Sequence, residues 1–123
     1  MHKSRLAGFI IDCQTGDAKG AAGFWSAALG LEEVGSNGPY VTLDGKPWDM
    51  NIEVQRVDHA SRVHLDLESD DVEAEVARLE KLGARRLEAI QTWVVMEAPT
   101  GQRFCVVKAK TDLTGRSGVR IWK

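Results

Sequence analysis

The chain has 123 residues, 43% of them apolar and 28% charged, with a net charge of −2. This size and balance describe one domain that can bury a core unaided, and exclude a disulfide-stapled or disordered chain. No basic stripe is present to neutralise phosphates, and no apolar run approaches the roughly 20 residues that span a bilayer, so neither nucleic acid nor a membrane is expected as a partner.

Leu6 to Cys13 is an apolar, β-branched run that predicts a buried strand. It is too short for a secretory leader and is followed by no small-residue cleavage pattern, so the cytoplasm is the expected location. Cys13 and Cys105 form no CxxC pair and are expected to stay reduced. Asp17 predicts the cap of a helix running to Leu29, with Ala21, Phe24 and Ala28 on its buried face and Trp25 beside them. Gly20 and Gly23 weaken that helix intrinsically and suggest close backbone packing, and Gly30 is suited to end it. Glu32–Val34, Tyr40–Leu43 and Met50–Val57 read as strands, joined by turns at Ser36-Asn37-Gly38-Pro39 and Asp44-Gly45-Lys46-Pro47.

After the short joint Asp58-His59-Ala60-Ser61, Arg62 to Glu68 alternates as a two-faced strand. Asp70 and Glu73 have capping-box spacing for a second helix. Its buried stripe is Val72, Val76 and Leu79, with Glu75, Arg78, Glu80 and Lys81 towards solvent, and Gly83 ends it. Arg85–Ala89, Thr92–Glu97 and Arg103–Lys108 read as strands, with Ala98-Pro99-Thr100-Gly101 as the last turn. Residues 110–123 form a tail that can dock, pair across a dimer, or fray, and Trp122 is a candidate subunit contact.

Asp17 and Asp70, like Gly30 and Gly83, are 53 positions apart. The order strand, helix, three strands therefore occurs twice, which predicts two copies of one βαβββ unit, about 5–57 and 62–109, in a single domain spanning 1–123.

Four segments carry a family resemblance. They are Ala22-Gly23-Phe24-Trp25-Ser26-Ala27-Ala28-Leu29-Gly30-Leu31, Gln55-Arg56-Val57, Arg62 to Leu67 together with Asp70 to Gly83, and Pro99 to Val107. In these the chain resembles the vicinal-oxygen-chelate superfamily (glyoxalase I, bleomycin-resistance proteins, extradiol dioxygenases), and most of all its small glyoxalase-like branch. The resemblance implies an α+β fold of two tandem βαβββ units, forming a pair of curved half-barrel sheets around a cleft. It also implies a homodimer by analogy. Metal-using relatives place ligands on the first and last strands of each unit. Those positions fall at His64 and Cys105 in the second unit and, by the offset of 53, at Ile11 and Ile52 in the first; an insertion near Cys13 would move the former to Gly8, Phe9 or Ile10. None of these first-unit residues can ligate, so the expectation is a site without cofactor or metal, with a divalent metal as the alternative.

Within that frame His64 is either the central polar group of the cleft or a strand histidine satisfied by Asp66 or a backbone carbonyl. Asp66 and Glu53 are candidate bases, or members of a solvated strand face. Trp48 and Trp93 are candidate stacking walls, Arg62 a candidate anion contact or rim salt bridge, and Cys105 a ligand contact or simply a small buried residue. The functional expectation is a glyoxalase-like protein that binds or transforms a small organic molecule. The alternatives are a metal-dependent lyase or isomerase and a bleomycin-resistance-like drug-sequestering protein.

Overall fold

A computed structural model describes residues Met1–Lys123 throughout. The elements are β1 (His2–Gln14), α1 (Ala18–Leu29), β2 (Glu33–Asn37), β3 (Tyr40–Leu43), a 3-10 turn (Lys46–Trp48), β4 (Asn51–Val57), β5 (Arg62–Ser69), α2 (Val72–Lys81), β6 (Arg85–Ile90), β7 (Trp93–Glu97), β8 (Arg103–Lys108) and β9 (Arg120–Trp122). The chain is α+β, and no helix is long and apolar enough to cross a membrane. It divides into two compact units, 8–64 and 65–123 with 1–7.

In the 8–64 unit the strands lie in the order β2-β3-β4-β1. β1 and β4 run parallel, from Gly8 opposite Asn51 to Gln14 opposite Val57. The core is Ile11, Ala22, Val41, Leu43, Ile52 and Val54, with Phe9, Cys13, Ala18, Ala21 and Trp25 packed on it. Asp17 caps α1 by accepting from the Gly20 amide at 3.0 Å, and Gly30 closes it at φ 69°. The buried face of α1 differs from expectation. Ala22 is fully buried and Phe24 is 64% exposed, its ring meeting Trp25 edge-on, because the helix packs on the strands through its small residues. The helical glycines also do not mark close packing: a Cβ on Gly23 meets nothing, and one on Gly20 meets only the capping Asp17 side chain. Asp44-Gly45 does not form a two-residue hairpin but leads into the 3-10 turn. The close approach lies instead at Gly8, where a Cβ would come within 1.8 Å of the Asn51 carbonyl oxygen. Only a residue without a side chain permits β1 and β4 to pair there.

In the other unit the order is β5-β8-β7-β6, with β5 and β8 parallel and Asp66 opposite Cys105. Its core is Val76, Val94, Met96 and Val106, supported by Val72, Leu79, Ala84 and Phe104. The helix cap is Asp71, accepting from the Ala74 amide at 3.0 Å, and not Asp70. Asp70 is engaged elsewhere: its Oδ1 accepts from the Lys3 amide at 2.7 Å.

Glu75 was expected to face solvent, yet it is fully buried. It follows Val72 by three positions and so stands on the flank of the apolar stripe. Its carboxylate holds the His2 ring at 2.8 Å and a two-pronged Arg78 guanidinium at 2.9 Å on each oxygen. The tail docks within this unit. β9 pairs antiparallel with His2–Ser4, Leu113 is buried, and the Trp122 indole donates to Ser4 Oγ at 2.8 Å while Arg78 stacks over its ring at 3.8 Å. Trp122 thus anchors its own chain.

Two expectations follow. Gly8→Ala should lose more than about 3 kcal/mol of stability, read as a fall in the denaturant midpoint, because the new methyl meets backbone that cannot move aside. For Glu75, burial alone would raise the carboxyl, but the Arg78 guanidinium, His2 and Ser4 outweigh it and hold it at about 2, down from 4.5. A depressed folded-state value stabilises above the unfolded value and is lost on acidification, so up to about 3 kcal/mol should disappear between pH 4.5 and 2. Glu75→Gln should be less stable at neutral pH and should flatten the stability profile across that window.

Candidate functional site

Strand alternation sorts the side chains of the 8–64 unit. Phe9, Ile11 and Cys13 of β1, and Ile52 and Val54 of β4, pack under α1. Ile10 and Asp12, and Glu53 and Gln55, therefore turn to the face away from the helix. This corrects the positions inferred from the repeat. Ile11 and Ile52 lie in the helix-side core, whereas Ile10 and Glu53 take the other face. The true caps, Asp17 and Asp71, are 54 positions apart, and a register error of one inverts every face.

Asp12 is the residue that sequence reasoning missed. Inside an apolar run it looks like the end of a buried strand, and its partner lies far along the chain. His64 Nδ1 stands 2.7 Å from Asp12 Oδ2, with side-chain exposures of 14% and 2%. The other Asp12 oxygen is buried without a hydrogen-bond partner. A carboxylate held against Nδ1 fixes the ring and favours the proton on that nitrogen, which makes Nε2 the basic atom. Arg62 stands beside them: its Nε is 3.8 Å from Asp12 Oδ2, and its Nη2 donates to His59 Nε2 at 3.2 Å. His59 Nδ1 is matched to the Ala60 carbonyl at 2.8 Å, which leaves Nε2 as the acceptor.

Along β5, Asp66 follows His64 by two positions and shares its face, and β8 sets Cys105 opposite Asp66. Asp66 and Cys105 are thus neighbours within the second unit. The remaining candidates are placed separately. Glu53 accepts from Asn51 Nδ2 at 2.6 Å. Trp93 is half-buried at the start of β7, on the same side of that strand as Val95, which pairs with Cys105. Trp48 stands with Phe9 and Ile52 on the helix side of its unit, away from the face that carries Asp12. Position near a strand start, which Trp48 and Trp93 share, carries no information about which face of its sheet a side chain takes. Cys13 lies on the helix side, where burial, with the adjacent Asp12 carboxylate adding to it, pushes its thiol up against a Trp25 contact that lowers it, the direction opposite to an activated thiolate.

Residues 8–107 match the glyoxalase-like domain family. The chain belongs to that family. Its structure is similar to members of the wider vicinal-oxygen-chelate superfamily. Methylmalonyl-CoA epimerase from Mycobacterium tuberculosis is 14% identical, over 91% of this chain and 92% of that one, with a TM-score of 0.66. A glyoxalase/bleomycin resistance protein/dioxygenase superfamily member from Vibrio splendidus is 13% identical, over 81% and 96%, with a TM-score of 0.56. Homoprotocatechuate 2,3-dioxygenase from Brevibacterium fuscum, solved with 3,4-dihydroxyphenylacetate, is 17% identical, over 87% of this chain but 37% of that one, with a TM-score of 0.61. Among curated proteins no relative matches. At these identities the likeness of the glyoxalase-like chain to the solved structures is one of fold, and a fold of this kind hosts many chemistries.

Proposed function

We infer that this glyoxalase-like protein binds a small organic molecule against the helix-free face that carries His64, with the imidazole as the central polar group and no metal required. The observation that supports this reading most is the 2.7 Å contact between His64 Nδ1 and the nearly fully buried Asp12. Holding a carboxylate in that position costs desolvation, and the result is an imidazole of fixed orientation whose Nε2 is available to a ligand or to a proton. Arg62, 40% exposed and leaning on Asp12, supplies a cation for an anionic ligand group. The twice-occurring βαβββ order and the family match support the finer reading of two tandem βαβββ units.

The test is a thermal-shift screen of small aromatic, carbonyl and carboxylate compounds followed by titration of the hits. His64→Ala should weaken binding at least about tenfold, and Asp12→Asn should weaken it less while changing its pH dependence. Hits that bind His64→Ala as tightly as the parent protein would overturn the assignment.

A further inference from the structure

We propose that the 8–64 unit carries a second binding site, for an uncharged aromatic or alicyclic small molecule, in the apolar cavity beside Trp48. Phe9, Leu29, Leu31, Trp48, Met50 and Ile52 line a cavity of about 380 Å³, within the roughly 300–1,000 Å³ range of small-molecule sites. Apart from the Trp48 indole N–H and the weakly accepting Met50 sulfur, no lining side chain carries a hydrogen-bonding group. A charged or strongly polar ligand would therefore lose its hydration without replacement, which sets the ligand class. The floor and the walls differ in a way that fits an opening. Ile52 is 3% exposed, while Trp48 is 55% and Leu29 45% exposed.

The turn that presents Trp48 is closed on itself. Asp44 Oδ1 accepts from the Lys46 amide at 3.0 Å, and the Gly45 carbonyl accepts from the Trp48 and Met50 amides at 3.1 and 3.2 Å. Asp49, which follows the tryptophan, is left-handed at φ 50°. A Cβ on Gly45 would come within 2.2 Å of the Met50 carbonyl oxygen, so the tight path depends on that glycine. Such a turn fixes the backbone that presents the half-exposed indole, so part of the ordering a ligand would require is already in place.

The site is separate from the one built on His64, because Phe9 and Ile52 belong to the helix side of the unit and Asp12 to the opposite side. Its failure would leave the other reading untouched.

The test uses N-phenyl-1-naphthylamine, a neutral two-part aromatic fluorophore, with the intact chain. Saturable binding at one dye per chain is expected. Leu29→Trp, which fills the mouth of the cavity, and Trp48→Ala, which removes a wall, should each weaken it at least about tenfold while circular dichroism and melting stay native-like. His64→Ala should leave dye affinity within about twofold. Non-saturating dye fluorescence, or unchanged affinity in both cavity variants, would overturn the proposal. So would a dimer by light scattering that Leu29→Trp dissociates and that takes up no dye, since a second copy would then cover this face.

Discussion

The parallel contact of β1 with β4 is the constraint on which the 8–64 unit depends. It begins at Gly8, where the backbones approach so closely that any side chain would collide with Asn51. Once the two strands are locked in that register, alternation has no freedom left. Phe9, Ile11, Ile52 and Val54 must lie under α1, and Ile10, Asp12 and Glu53 must lie on the other side. The same arrangement of first and last strand recurs in β5 and β8, where Asp66 is set beside Cys105. Core and candidate site are thus two consequences of one pairing, and the helix contributes by covering the apolar side.

That dependence explains which features were legible in the chain. Helix ends marked by local chemistry, such as Asp17 and Gly30, were readable, because a cap is satisfied within a few residues. Strands with self-contained signals, Tyr40–Leu43 and Arg103–Lys108, were also readable to the residue. What was hidden depended on partners far along the chain. Asp70 looks like a cap until Lys3 takes its carboxylate, and Asp71 then caps instead. Glu75 looks like a surface residue until His2, at the opposite end of the unit's sequence, meets it. The tail looked undecided because its anchors, Ser4 and Arg78, belong to other elements. Likewise His64 was visible as a candidate, but Asp12, which gives it orientation, was read as part of an apolar strand.

The two buried carboxylates, Glu75 and Asp12, are held in different ways. Glu75 is saturated: one oxygen takes His2 and an Arg78 prong, and the other takes the second prong. Its partners come from β1 and from its own helix, and they tie the N-terminal strand to α2. Such a carboxylate does one thing, and removing it would leave the buried Arg78 cation and the His2 ring without their partner. Asp12 is held differently. One oxygen is committed to His64, with Arg62 at a longer distance, and the other is buried without a hydrogen bond.

An unsatisfied buried oxygen costs about 1–3 kcal/mol, and a fold built only for stability would replace such a residue with an apolar one, as it does at Ile10 two positions earlier. The shortest contact Asp12 makes is the 2.7 Å one to His64 Nδ1, and that contact sets the orientation of the ring. For the proposed reading, in which Nε2 of His64 meets an organic ligand, the ring must first be held by Nδ1, and Asp12 is the group that holds it.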